Sequence, residues 1–284
     1  MLNALTIDVE EYFQVEAFAG VITKKDWDKF ASRVVQNTEK ILNLLDRFGV
    51  KATFFCLGWV AERYPELIKA IAQKGHEIAS HGFSHTPIFR LTPEKFRKEV
   101  RDSKRLLEDL SGTEVKGYRA PTYSVTKNTL WALKILAEEG YTYDSSIFPI
   151  RHDLYGLPEA PRFPFKIKSL GLIEFPISTA RFLGINWPAA GGGYFRLFPY
   201  PLTKYLLKRI NQKEKMPFIF YVHPWEFDPA QPRIKAPLKS RFRHYLNLKK
   251  TEKRFKKLLF DFKFAPVEKV LKTLPSLPEI ELQK

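Results

Sequence analysis

Six side chains suited to acid–base or metal chemistry stand in four short stretches. Asp8 and Glu10 lie in Asp8-Val9-Glu10, and His81 and His85 in His81-Gly82-Phe83-Ser84-His85. Arg119 opens Arg119-Ala120-Pro121-Thr122-Tyr123, and His223 lies in Tyr221-Val222-His223-Pro224. Histidines four apart, on a tight loop or a helical turn, put both imidazoles on one side, within reach of one ion. A histidine pair alone does not make a site, because structural histidines are common. Asp8 and Glu10 are two apart, so an extended chain points them to the same side and turns Glu11 away. One carboxylate and two imidazoles leave a position for water, the composition of a catalytic rather than a structural zinc site. Asp8 could take a proton from that water. Arg119 could hold Asp8 ionised by a charge-assisted bond, and His223 could donate a proton to a leaving amine.

The elements that must position these residues alternate. Residues 2–9 read as an apolar strand ending at Asp8. Residues 27–48 carry a helical stripe (Phe30, Val34, Val35, Ile41, Leu44, Leu45, Phe48) stopped by Gly49. Lys51–Leu57 reads as a strand, Pro65–Lys74 as a helix ended by Gly75, and the run to Ala79 as a short strand before His81. Thr92-Pro93 marks the N-cap and first position of a helix that runs to about Leu110 and stops at Ser111-Gly112. Val115–Arg119 is a strand, Asn128–Glu139 a helix and Tyr141–Asp144 a strand. This βα rhythm predicts parallel strands with helices outside, an open doubly wound sheet or a barrel. In a barrel, Asp8, Glu10, His81, His85, Arg119, Asp144 and His223 would gather at the rim formed by strand C-terminal ends.

Residues 145–200 break the rhythm with proline, glycine and aromatics, and hold one expected strand near Leu172–Phe175. Gly191-Gly192-Gly193 lacks the Lys-Ser/Thr of a P-loop and the spacing of a dinucleotide fingerprint. It reads as permissive backbone passing close to something, with substrate as the candidate. Leu202–Ile210 is a helix, Pro217–His223 a strand, 238–260 a basic helical region and Val267–Leu274 a last helix.

Length and composition allow one large core without staples: 284 residues, 44% hydrophobic, with a single cysteine. Cys56 lies in an apolar run and reads as a buried structural thiol. The N-terminus shows no basic, apolar and small-residue pattern of a leader, and no stretch nears ~18 uninterrupted apolar residues. A cytoplasmic protein is expected. The net charge is +16, and between Arg233 and Lys257 Glu252 is the only acid. That basic region is either a solvated face, folded back on the core, or a contact for an anionic polymer or a membrane surface. No nucleic-acid module accompanies it, and no nucleic-acid partner is expected.

The ordered stretches resemble the polysaccharide deacetylases of the NodB-homology type, carbohydrate esterase family 4, over roughly residues 2–230. Thr6-Ile7-Asp8-Val9-Glu10 stands where that family has Thr-Phe-Asp-Asp. His81 to His85 match His-(Ser/Thr)-x-x-His, with glycine second, and Arg119 to Tyr123 match Arg-x-Pro-x-(Tyr/Trp). Tyr221-Val222-His223 matches Leu-x-His, and Tyr143-Asp144 loosely matches the remaining Asp motif. The resemblance implies a distorted, incomplete (β/α) barrel of about seven parallel strands, followed from about residue 231 by a basic, mostly helical extension within one catalytic domain. It implies Asp8 as base, His223 as acid, Asp144 as tuner of the His223 pKa, and His81 and His85 as ligands of a divalent metal, zinc or cobalt. Val9 cannot bind metal, so Glu10 takes the third ligand position, as in an Asp-x-Asp variant of the family. The backbone N–H of Tyr123 would help hold an oxyanion. Pro121, Tyr123 and Trp225 are expected to line the substrate, within an aromatic rim that includes Tyr194 and Phe195.

Asp-Val-Glu-Glu-Tyr-Phe (8–13), Pro188–Tyr200 and His223-Pro224-Trp225-Glu226 are further similar to the subgroup found with bacterial exopolysaccharide and exosortase gene clusters. The implied reaction is removal of N-acetyl groups from N-acetylhexosamine units of a polysaccharide or its lipid-linked precursor. The alternatives are hydrolysis of a small cyclic amide or ureide, and a non-catalytic glycan- or metal-binding relative.

Overall fold

The computed structural model describes residues 1–152 and 154–282. Strand β1 (Leu2–Val9) is buried along almost all of its length, as a central parallel strand covered on both faces must be. Helix α1 (Val34–Phe48) starts later than the apolar stripe from residue 27 implies. Lys24–Lys29 instead make a 3-10 turn, where the Thr23 amide donates to the Asp26 carboxylate at 3.1 Å. The α1 N-terminus waits for Glu11: the amides of Arg33 and Val34 donate to its Oε1 at 2.9 and 3.0 Å. Gly49, at φ 63°, closes the helix in the left-handed region as expected.

The chain continues through β2 (Thr53–Cys56), α2 (Gly58–Arg63), α3 (Pro65–Gln73), β3 (Glu77–Ser80) and α4 (Pro93–Ser111). Thr92 caps α4, its Oγ1 accepting from the Lys95 amide at 3.3 Å. Next come β4 (Gly117–Tyr118), α5 (Trp131–Glu138) and β5 (Tyr143–Asp144). β4 and β5 are shorter than the sequence pattern suggests. A side chain at Gly117 would meet the Tyr143 ring at 2.0 Å, so these strands pack too closely for anything but glycine.

The irregular region carries β6 (Phe165–Ile167), β7 (Ile173–Glu174), β8 (Thr179–Phe182), β9 (Ile185–Pro188), α6 (Gly192–Leu197) and α7 (Tyr200–Arg209). The β8–β9 hairpin and α6 were not legible in the pattern of residues. The chain ends with β10 (Ile219–Val222), α8 (Leu238–Tyr245), α9 (Leu248–Asp261), β11 (Lys263–Ala265), α10 (Val267–Leu271) and β12 (Glu279–Ile280).

Seven strands run parallel in the order β10-β1-β2-β3-β4-β5-β7, and β6 joins β7 antiparallel. The sheet does not close, so the architecture is the distorted, incomplete (β/α) barrel expected. Part of the gap between β7 and β10 is filled by irregular chain. The Ile219 amide donates to Ser178 Oγ at 2.8 Å, and Gly191 bridges to Tyr221. Two of the three glycines are explained here: a Cβ at Gly191 would meet the Tyr221 carbonyl at 2.0 Å, and one at Gly192 the Tyr221 ring at 2.5 Å. Their close neighbour is the barrel strand β10.

The basic C-terminal region folds back on the core. α9 buries Thr251, Phe255, Leu258 and Leu259, and β11 pairs with the start of β1. Among the described residues, no helix is long and apolar enough to cross a membrane. Cys56 is buried in β2, and burial pushes its thiol well above the usual range.

Candidate active site

The parallel strands deliver the chemistry to one rim. Asp8 is the second-to-last residue of β1 and Glu10 lies just past its end; His81 follows β3, Arg119 follows β4 and His223 follows β10. Each position is set by strand register, with Asp8 opposite Phe55 and Ile7 opposite Val222.

Glu10, His81 and His85 form a buried triad whose ligand atoms all lie within 4.8 Å of one another. Glu10 Oε2 is 2.6 Å from His85 Nε2 and 4.0 Å from His81 Nε2. The loop that carries the histidines is clamped from both sides. The amides of Gly58 and Trp59 donate to the carbonyls of Gly82 and Phe83 at 2.9 and 2.8 Å. The Glu99 carboxylate accepts from the amides of Phe83 and Ser84 at 3.1 and 2.8 Å. His85 sits at φ 51°, a conformation this clamp enforces.

Two further atoms of the triad, His81 Nδ1 and Glu10 Oε1, are paired in the way a metal site requires. His81 Nδ1 is 2.8 Å from the Arg119 carbonyl, which can only accept, so that nitrogen carries the proton and Nε2 presents a lone pair. Trp225 Nε1 donates to Glu10 Oε1 at 3.0 Å and leaves Oε2 toward the histidines. Burial pushes the His81 ring down to about 4, so it is neutral at pH 7. Burial would raise Glu10, but the rings of His85, His223 and His81 more than offset it and hold the carboxyl well below the usual range. Two imidazoles and an ionised carboxylate in a buried cluster fit a divalent ion with open positions, zinc among the candidates.

Asp8 faces this cluster. Arg119 Nη1 donates to Asp8 Oδ1 at 2.6 Å and to Thr6 Oγ1 at 2.7 Å. Its Nε donates to the Ser145 carbonyl at 3.1 Å and Nη2 to Ser145 Oγ at 3.0 Å. The guanidinium is thus fixed by four acceptors, and Asp8 Oδ2 is left toward His223 Nε2, 3.8 Å away.

His223 is governed by a residue the sequence did not single out. Its Nδ1 is 2.7 Å from Glu226 Oε1, and Arg196 Nε donates to Glu226 Oε2 at 2.6 Å. Arg196 also donates to the carbonyls of His244 and Leu246, at 2.7 and 3.1 Å. Burial alone would lower His223, but Glu10, Glu226 and Asp8 outweigh it and the ring is pushed up to about 9. At neutral pH His223 therefore carries a proton. The available signal for Glu226 was its place three residues after His223 in His223-Pro224-Trp225-Glu226.

Three expectations are corrected by the geometry. Asp144 does not tune His223: it is buried on β5, where Ser146 Oγ donates to its Oδ1 at 2.5 Å, and its register partner is Glu174. Burial raises the pKa of both carboxyls, and the neighbouring Asp144 raises Glu174 further. Trp225 is no open sugar platform. It is buried between the rings of His223 and His244, at centroid distances of 5.2 and 4.2 Å. The Tyr123 amide is not free to hold an oxyanion, because it donates to the Ala120 carbonyl at 3.1 Å. Pro121 is buried at the start of the same turn, close to Gly82. Thr122 and Tyr123, at φ 58° and 50°, fold this turn against the rim, and the Tyr123 ring packs on Tyr221 and Phe148.

Residues 26–143 match the polysaccharide deacetylase family model, and residues 145–272 match a domain of unknown function, DUF3473. His81, His85 and Arg119 come from the first segment and His223 and Glu226 from the second, while Asp8 and Glu10 precede both. A peptidoglycan-N-acetylglucosamine deacetylase of Bacillus cereus is 38% identical over 96 residues, covering 34% of this chain and 35% of that protein. Peptidoglycan deacetylase-like protein FGM2 of Gibberella zeae is 34% identical over 140 residues, covering 49% and 39%. The chain thus spans well under half the length of these curated relatives. A crystal structure from Mycobacterium smegmatis, described as that of a candidate polysaccharide deacetylase, superposes with a TM-score of 0.65 at 21% identity, covering 100% of this chain and 93% of that one. That likeness establishes the fold. The family-model match and the relatives each cover less than half of this chain, and over those segments it is similar to polysaccharide deacetylases.

Proposed function

We propose that this chain is a metal-dependent hydrolase that removes N-acetyl groups from N-acetylhexosamine units of a bacterial polysaccharide or its precursor. One observation carries the reading. Asp8, pinned by Arg119, stands beside the Glu10–His81–His85 cluster, with His223 across from it.

Glu10, His81 and His85 would hold the ion, which when bound polarises the amide carbonyl and acidifies water. The residues of the chain do the rest. Asp8 Oδ2 accepts the proton of the attacking water, while Arg119 holds Oδ1 and keeps Asp8 oriented. His223 donates its proton to the nitrogen as the C–N bond breaks, and leaves a free amine and acetate. Glu226, held by Arg196, keeps His223 oriented and charged for that step. Both halves of the chain supply parts, which supports one catalytic unit over residues 1–284.

The finer identity follows from the ordered motifs. Asp8 to Phe13 and His223 to Glu226 are similar to the exopolysaccharide-associated subgroup, and we infer a cytoplasmic zinc enzyme of exopolysaccharide biosynthesis acting on an N-acetylated glycan. The test is metal content of the purified protein together with acetate release from N-acetylglucosamine oligomers. About one equivalent of metal is expected, with both metal and acetate release lost in His81→Ala/His85→Ala. In Asp8→Asn the metal remains and turnover is lost. Metal without acetate release from any N-acetylated glycan would overturn the deacetylase reading.

A further inference from the structure

We propose that the tip of the β8–β9 hairpin and the outer face of α8 form a docking surface for an anionic lipid bilayer. Leu183 and Ile185 are 84% and 60% exposed, and Phe182 and Trp187 beside them are exposed as well. Leu183-Gly184 is a two-residue turn with both residues at positive φ, 50° and 77°. A leucine in that conformation is strained, and folding recovers nothing from its side chain, which stands in solvent. On α8, Leu238 and Phe242 lie one helical turn apart and are 80% and 59% exposed. Exposed apolar side chains gathered in this way mark an interaction surface.

Charge selects the occupant. Residues 175–213, which hold the hairpin, contain no aspartate or glutamate, and neither do residues 231–251, which hold α8. Arg181 is exposed beside the tip, and Arg209 donates to its carbonyl at 2.9 Å and lies 5.9 Å from the Phe182 ring. Lys239, Arg241 and Arg243 are exposed on α8. Apolar and tryptophan side chains that enter the headgroup region, flanked by these cations, suit a negatively charged bilayer, with Glu159 an acid lining the same groove as Ile185 and Trp187.

Both patches adjoin the walls of the site. Asn186 of the hairpin donates to the Pro149 carbonyl at 2.8 Å, and the neighbouring Phe148 packs on Tyr123. His244 of α8 stacks on Trp225, which holds Glu10. Docking would set the site against glycans still carried on membrane lipid. That consequence rests on the deacetylase reading, whereas docking itself does not.

The experiment is flotation of the full chain with vesicles of phosphatidylcholine alone and of phosphatidylcholine with phosphatidylglycerol. Binding to the anionic vesicles is expected, weaker at high salt. Leu183→Ser/Ile185→Ser and Leu238→Ser/Phe242→Ser should each weaken it about tenfold or more, as loss of buried apolar side chains requires. Thermal melts and metal content of these variants should match wild type, since all four residues are exposed. No preference for anionic vesicles would overturn the proposal. So would variants that bind like wild type, or a wild-type dimer on a sizing column that both variants dissociate. None of these outcomes bears on acetate release from soluble oligomers.

Discussion

Arg119 and Asp8 form a buried ion pair: Nη1 lies 2.6 Å from Oδ1, and the side chains are 0% and 2% exposed. Pairing and hydrogen bonds must offset the desolvation of both charges. Removing one partner leaves the other buried alone. Arg119→Met should destabilise the protein by about 3–5 kcal/mol, read from urea unfolding. Adding Asp8→Asn should recover part of that loss; full additivity of the two changes would mean that the residues do not act as a pair.

Asp8→Asn by itself keeps the shape of the side chain and removes the proton acceptor. Turnover should fall about 10²- to 10⁴-fold, the usual worth of a general base. Metal affinity should hold, because the ligands are elsewhere. Unchanged turnover in steady-state assays would remove Asp8 from the proton path.

Trp225 is assigned to positioning Glu10. Trp225→Phe preserves the stack between His223 and His244 but deletes the Nε1 donor to Glu10 Oε1. Metal affinity should weaken about 10- to 100-fold, as for other lost outer-shell bonds to a ligand. Competition with a chromophoric chelator measures it, and unaltered affinity would return Trp225 to a packing role.

Glu226 raises the affinity of His223 for its proton, and Glu226→Gln should lower it. His223 loses its proton as pH rises, so an acid of this kind limits the alkaline side of the rate profile. That limb should shift to lower pH in Glu226→Gln. An NMR titration of the His223 ring in metal-free protein should show the same direction. A limb that stays in place would separate His223 from the alkaline limit.

Acid stability should depend on His76, remote from the metal cluster. Burial pushes its ring down to about 4 from the ordinary 6.5, and Nδ1 accepts from the Ala52 amide at 3.2 Å. Below pH 6.5 the unfolded chain takes up a proton that the folded chain refuses. The contribution of His76 is therefore complete above pH 6.5 and is lost as pH falls toward 4. The slope per proton is at most about 1.4 kcal/mol per pH unit. His76→Asn should reduce the difference between urea midpoints at pH 7 and pH 5; an undiminished difference would assign it to other groups.

What was legible in the residues was local. Alternation in β1 put Asp8 and Glu10 on one side and Glu11 on the other, because a strand repeats every two residues. Thr92, Pro93, Gly49 and Gly112 marked helix ends through backbone preferences that hold in any fold. The spacing of His81 and His85 and their place after a strand were enough to bring them together with Glu10, since parallel strands point their ends to one rim. The exposed β8–β9 hairpin left no alternation to detect, because its apolar side chains do not all face a core.

Only the tertiary structure decided which polar groups meet across long separations. Arg196 reaches Glu226, and Glu226 reaches His223, because α6 packs on α9 and the turn after β10 beneath it. Trp225 could face a sugar or a carboxylate until packing between His223 and His244 turned its N–H toward Glu10. Asp144 is drawn to Glu174 rather than His223 because β5 pairs with β7, a neighbour that no local pattern names. The residue types and their short-range spacing determined the chemistry on offer. Strand order and burial, which depend on the whole chain at once, decided which charge is paired, which is shared and which is left to react.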